Sequence, residues 1–247
     1  MIGRRIVLAA AAGCALAACA AAPTPAPANG ARPARQPTAA DEEPSPRPAD
    51  ADADVAYYNE RTAALASEAL IEVARTDFTR MRRGRLYANA APGREAAGAF
   101  EGTLNEAFKT SDHATIVDVT GKMLSANQAD IRAHMLRAVA LRRLGRDKEA
   151  NFHREAAIGL IESIVRTGDG RSFATAWTVF QVEEEYEVAK SGGYVVTSQS
   201  LTRQGGRWFD VLEVQKPDGS ARFRAHYDIT EVFAEDGRKL RARLRAR

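Results

Sequence analysis

The sequence predicts an α+β fold, a layer of helices packed on a small antiparallel sheet of about three strands, and the prediction rests on one change of period and two turns. From about residue 56 to residue 190 the apolar residues recur at helical spacing. After Gly192-Gly193 the pattern switches to alternation, the period of a strand with one covered face. The turn signals Gly205-Gly206 and Pro217-Asp218-Gly219-Ser220 then divide the alternating stretch into three.

The chain begins MIGRRIVLAAAAGCALAACA, with two arginines followed by an apolar run from Ile6 to Ala18. The run is too short to span a bilayer and ends in small residues, as an export signal does. Leu16-Ala17-Ala18-Cys19 resembles the lipobox of bacterial lipoproteins, which implies removal of residues 1–18 and diacylglycerol on the Cys19 sulfur. Ala11-Ala12-Gly13-Cys14 matches less well, lacking a long apolar residue at its head. Arg4-Arg5 sits in a poor context for twin-arginine export, so the Sec route is expected. The alternative is an ordinary signal peptide with an incidental cysteine. Each buried methylene contributes about 0.8 kcal/mol, so two or three acyl chains hold a protein persistently where one does not. Membrane attachment is therefore expected through this lipid anchor. Ala20 occupies the position where inner-membrane retention favours aspartate, so the resemblance implies the outer membrane, facing the periplasm. Only two cysteines occur. With Cys14 cut away and Cys19 acylated, the exported part has no disulfide, thiol nucleophile or cysteine-bound metal.

Residues 19–54 are alanine, proline and charge, unable to bury enough surface to offset ordering, and read as a tether. Its acidic residues, Asp41 to Asp54, are expected to be repelled by anionic lipid. Residues 55–236 suit one α+β domain, helical over 55–190 and sheet over 194–234, with a basic tail at 237–247. The net charge is +3. Arginine far outnumbers lysine and alanine is abundant, as a GC-rich genome produces, so the basicity does not imply nucleic acid as a partner. The tail GRKLRARLRAR either touches phosphates of lipid or lipopolysaccharide, or is a solvated terminus or edge strand guarded by charge.

Within the domain, Ala56 to Arg75 reads as an unbroken helix with Leu65, Ala69, Ile71 and Val73 among alanines. TDFTRMRRGRLYANAAPG leads into a loop at Pro92-Gly93, followed by helices over Glu95 to Lys109 and His113 to Ser125. Ala129 to Val165 carries small residues at Ala138, Ala140, Ala150 and Ala157 around a Leu144-Gly145-Arg146 turn, and resembles a tetratricopeptide hairpin. Stacked repeats generally number three or more, so a lone hairpin must rest on another element. Ser172 to Lys190 reads as that helix, with Phe173, Ala176, Trp177 and Phe180 on one face. The strands are Tyr194 to Gln204, Arg207 to Lys216 and Ala221 to Phe233. The last turns Phe223, Ala225, Tyr227 and Ile229 to the core and Arg224, His226 and Asp228 to water.

This order of parts resembles the bacterial domain-of-unknown-function family 4919 from about Thr76 to Phe233. The carrying residues are DFTRMR (Asp77 to Arg82) with Tyr87, IRAH (Ile131 to His134), FHREAAIGLIESIVRTGDG (Phe152 to Gly170), EEEYEV (Glu183 to Val188), Ser198-Gln199 and Tyr227-Asp228. AHYDIT departs from the family in lacking a phenylalanine beside the tyrosine-aspartate pair. The resemblance implies a fold order and an envelope setting, and brings no established activity.

The residues with chemistry to offer are His134, His153, Asp169, Arg171, Glu184, Tyr186, Gln199 and Tyr227, beside the lipid attachment at Cys19. TGDGRS lacks the strand before it and the lysine after it that a phosphate loop needs, so it reads as helix punctuation, Gly168 capping one helix and Asp169 or Ser172 the next. Arg171 leaves room for anion capture at that helix start. His153 shares a stripe with Ala157, Leu160, Ile161 and Ile164 and should be partly buried, with His134 across the hairpin about one turn away. Two imidazoles without a third ligand or an HExxH spacing do not define a zinc site. Glu155, Glu162 and Asp169 either complete a site or pair with Arg132 and Arg137. Glu183-Glu184-Glu185 reads as a mostly solvated face beside Tyr186, and no GxSxG elbow occurs. Trp208, Trp177 and Tyr227 line an aromatic groove or belong to the core. The expected function is that of a non-catalytic envelope lipoprotein that binds another envelope protein, without cofactor or metal. The alternative is an enzyme, such as a hydrolase, with its site where His153, Asp169 and Glu184 meet the sheet.

Overall fold

A computed structural model describes residues 46–88 and 93–245. Cys19, the export signal, most of the tether and Pro92 lie outside the described residues. The first element, α1 (Ala51–Leu65), starts inside the stretch expected to be tether. Asp50 and Asp54 pin it to α3 (Phe78–Tyr87): Asp54 pairs with Arg80 at 2.9 Å and with Arg83 at 2.8 Å, and Asp50 with Arg83 at 2.6 Å. Gly84 permits the close crossing, since a Cβ there would lie 2.1 Å from the Asp54 carbonyl oxygen.

The predicted helix over 56–75 is broken. Residues 66–69 separate α1 from α2 (Leu70–Ala74), and Glu68 turns the chain with φ 51°. Arg61 spans the break, donating to the Glu72 carboxylate at 2.7 Å and to the Glu72 carbonyl at 2.9 Å. DFTRMRRGRLY forms α3, capped by Asp77, whose carboxylate accepts from the backbone N–H groups of Thr79 and Arg80.

Next come α4 (Gly93–Thr110) and α5 (His113–Ala126), then the hairpin of α6 (Ile131–Arg143) and α7 (Asp147–Val165), turned at Gly145 with φ 73°. Asp112 and Asp130 cap α5 and α6. Leu104, Ile116, Met123, Ala140, Leu141 and Ala150 form one apolar core among these helices. A second core joins Phe152, Leu160 and Ile164 of α7 to α1, α3 and the sheet. Through α7 the hairpin therefore packs on α1, α3, the sheet and the helix over 182–191, not on the continuous helix expected over 172–190.

The predicted helix over 172–190 is also broken, into a 3-10 turn at Phe173–Thr175, the two-residue strand β1 (Trp177–Thr178) and α8 (Val182–Ser191). Partners other than a helical ladder take these backbone donors: the Val179 N–H donates to the Asp228 carbonyl at 3.2 Å across the sheet, and the Phe180 N–H to the Glu184 carboxylate, four residues on, at 2.9 Å. β1 pairs in parallel with β4 (Arg222–Asp228), so the sheet has four strands rather than three, in the order β1-β4-β3-β2, with β2 (Val195–Gln204) and β3 (Arg207–Gln215) antiparallel.

Trp208, Leu212, Val214, Ala225 and Tyr227 face the helices. The opposite face, expected to be wet, is partly covered: Phe173 packs on Phe209 and His226 at centroid distances of 5.1 and 4.8 Å, and His226 and Asp228 are buried. The expected strand to Phe233 stops at Asp228, whose carboxylate accepts from the Thr230 N–H at 2.9 Å and opens α9 (Thr230–Arg245). Residues 237–245 of the basic tail are thus the largely exposed end of a helix rather than an edge strand. It is held by Phe233 stacked on Trp208 at 4.3 Å and by the Lys239 ammonium on the Leu86 carbonyl.

Candidate functional site

A groove of about 570 Å³ lies between the turn at residues 66–68, the outer side of α5 and the α6–α7 hairpin. Its walls include Leu65, Val117, Leu124 and Phe152, and its polar floor is Arg137, His153 and Glu68. His134 stands behind His153, fully buried.

The sequence put the two imidazoles on facing helices; the structure puts their Nδ1 atoms 2.9 Å apart. The hydrogen-bond network assigns every proton in this chain. His134 Nε2 lies 3.1 Å from the Gln128 carbonyl, which only accepts, so His134 carries its proton on Nε2 and offers Nδ1 as acceptor. His153 must then donate from Nδ1, leaving Nε2 to accept the Arg137 Nε–H at 2.8 Å. The relay runs from guanidinium to imidazole to imidazole to carbonyl, and both rings are neutral. Burial pushes His134 down to about 4. His153 is pushed down to about 2, by burial first and then by His134 and Arg137. Neither ring keeps a free lone pair for a metal or a proton transfer.

The relay fixes an arginine. Arg137 also donates from Nη1 to the Val117 carbonyl at 2.5 Å, and Gly121 leaves room for it, since a Cβ there would lie 2.9 Å from Nη1. Its Nη2 reaches Glu68 Oε1 at 3.5 Å. That oxygen is also 3.3 Å from His153 Nε2. In the sequence Arg137 stands out only as a partner for acids. Its position three residues after His134, hence on the same helix face, was the available signal.

Asp169 and Glu184 commit their carboxylates elsewhere. Asp169 accepts from the Arg171 N–H at 2.9 Å and the Thr175 hydroxyl at 2.5 Å, and that hydroxyl, first among its partners, holds its carboxyl below the ordinary range. Arg171 lies over the Phe223 ring, 3.6 Å from its centroid. No helix longer than the three-residue turn begins there, so helix-start anion capture loses its basis. Glu184 pairs at 2.7 Å with Arg82, which is fully buried and also donates to Ser163 Oγ at 2.9 Å. DFTRMR and EEEYEV thus meet in an ion pair that ties α3 to α7 and α8.

Tyr186, Gln199 and Tyr227 converge on a second polar cluster. The Tyr186 hydroxyl donates to Gln199 Oε1 at 2.6 Å, Gln199 Nε2 donates to Asp210 Oδ2 at 2.8 Å, and the Tyr227 hydroxyl donates to the Glu185 carbonyl at 3.1 Å. Glu185, expected on a solvated face, is fully buried beside Asp210, with neither carboxyl oxygen reached by a donor. Burial first, and then the Asp210 charge, pushes it up to about 10, and burial raises Asp210 as well. Two carboxyls with raised values thus lie together beneath α8. Burial, and then Glu185, likewise raises Tyr227.

The family described as Domain of unknown function (DUF4919) matches residues 89–236, and the chain belongs to it. No curated protein and no solved structure matches the chain. Among the described residues no helix is long and apolar enough to cross a membrane.

Proposed function

We propose that this member of the DUF4919 family is a non-catalytic envelope lipoprotein, anchored through Cys19 to the outer membrane, whose groove beside the α6–α7 hairpin binds another envelope protein. The observation that supports binding over catalysis is the relay behind Arg137. The two histidines with catalytic potential support a guanidinium at the groove floor, and each lone pair they expose is already occupied. Such a group recognises rather than reacts: a preorganised cation loses little freedom on binding. We read α6–α7 as a tetratricopeptide-like hairpin, its helices brought close by Ala133, Ala140, Ala150 and Ala156, all buried. The hydrolase alternative draws no support from its three residues, because Asp169 and Glu184 are bonded away from His153.

The test is site-specific photocrosslinking in intact cells from Ser125, on the groove wall, with Asp218 in the exposed β3–β4 turn as control. A discrete adduct from Ser125, absent from Asp218 and lost in Arg137→Ala, supports the reading. Identical adducts from both positions, or none from Ser125, refute it.

A further inference from the structure

Resting on the groove reading above, we propose that the ligand is an extended peptide presenting a carboxylate to Arg137, and that Glu68 holds its place until it arrives. The argument begins with the donors of Arg137. Its Nε is bonded to His153 and its Nη1 to Val117, both within the fold, and the side chain is only 13% exposed. The edge left for the groove is Nη2, where Glu68 is the acceptor. Nη2, held in place by the other two bonds, can donate a charge-assisted bond to a carboxylate oxygen.

Glu68 meets that edge poorly. Its oxygen is 3.5 Å from Nη2, beyond the usual range for a charge-assisted bond. His153 Nε2, 3.3 Å from that oxygen, has its lone pair on the Arg137 Nε–H, so two acceptors face each other there, while Arg146 acts on Glu68 only through its field. The Glu68 side chain remains 31% exposed. Its backbone is in the left-handed region, where a residue with a long side chain is uncommon. A carboxylate has been brought to the right donor by a disfavoured turn and left with a weak bond. An incoming carboxylate with free approach would do better.

The groove's dimensions favour a peptide. Asp118, Gly121, Lys122 and Ser125 line it along two turns of α5, a run of about 10 Å. Three extended residues cover about the same length. Leu65, Val117, Leu124 and Phe152 back the groove but are themselves buried, so its accessible lining is chiefly polar and suits the peptide's backbone and charge. Lys122 is paired with Asp118 at 2.7 Å, so one cation reads one negative charge, as suits a carboxylate better than a phosphate. The carboxylate is either a chain terminus or an Asp or Glu side chain.

The test uses the mature chain with three probes: acetyl-Ala-Ala-Ala as the free acid, the same peptide amidated, and acetyl-Ala-Asp-Ala amide. Binding is measured calorimetrically for the native chain and for Glu68→Gln, which removes the competing charge; unchanged thermal unfolding verifies the variant's fold. A carboxylate probe is expected to bind Glu68→Gln at least about five-fold more tightly than the native chain, the occluded fraction having been released. The amidated peptide should bind neither. Whichever acid probe gains identifies the source, terminal or side-chain. Equal affinities for the two chains, equal binding of acid and amide, or no binding by any probe overturns the inference. If the Ser125 adduct persists in that event, the groove still binds a partner and only the ligand class is wrong.

Discussion

Replacing Glu185 by glutamine should stabilise the protein, and by more as the pH rises. In the unfolded chain this carboxyl ionises at its ordinary value, 4.5, whereas in the fold it keeps its proton until about pH 10. Between those values the folded state binds the extra proton. Stability is therefore unaffected by Glu185 below 4.5 and falls through the window from 4.5 to about 10, by at most about 1.4 kcal/mol per pH unit. At pH 7.5, three units into the window, the ceiling is about 4 kcal/mol. Glutamine is neutral in both states and escapes this loss. Its amide can donate to Asp210, which already accepts from Gln199, but seating its remaining polar atoms costs about 1–2 kcal/mol. The net expectation is a gain of about 1–3 kcal/mol at pH 7.5, vanishing or reversing near pH 4.5. Urea unfolding of the native chain and Glu185→Gln at half-unit steps from pH 4.5 to 9 measures it. A difference independent of pH, or a Glu185→Gln protein less stable by more than about 1 kcal/mol at pH 7.5, would refute a Glu185 that stays protonated in the fold.

The Arg82–Glu184 pair should respond in the opposite direction: Glu184→Gln leaves a fully buried guanidinium without its counter-charge and should cost about 3–5 kcal/mol in urea unfolding. The double variant Arg82→Met with Glu184→Leu should cost less than the sum of the single changes, and strict additivity would contradict a direct pair. Cys19→Ala should move the protein from the membrane to the soluble fraction of lysed cells. A variant still wholly in membranes would show that no lipid at Cys19 holds it.

What was legible in the sequence was local. The helical spacing over 95–125 announced two helices, the alternation after Gly193 announced strands, and the turn at Gly145 fixed the hairpin, because each signal acts within a few residues of itself. Residues 172–190 misled because Phe173, Trp177 and Phe180 fall at helical spacing, while the bonds that decide their backbone go to Asp228 and Glu184. The same limit applied to acids: Asp50 and Asp54 look like tether until Arg80 and Arg83 are brought against them, and Glu184 and Glu185 look solvated until α8 lies on the sheet. Of the groove, the histidine pair was legible from the hairpin. Glu68 was not, since a left-handed glutamate leaves no mark in composition or period.

The relay behind Arg137 can be read without any ligand or partner, by nitrogen-15 correlation spectroscopy of the imidazole rings between pH 5 and 8. The protein should show His153 protonated on Nδ1 and His134 on Nε2, both neutral and unshifted across the range, since their values lie near 2 and 4. Either ring gaining a proton near pH 6.5, or both carrying the proton on Nε2, would contradict a closed relay and return the histidines to the list of reactive groups.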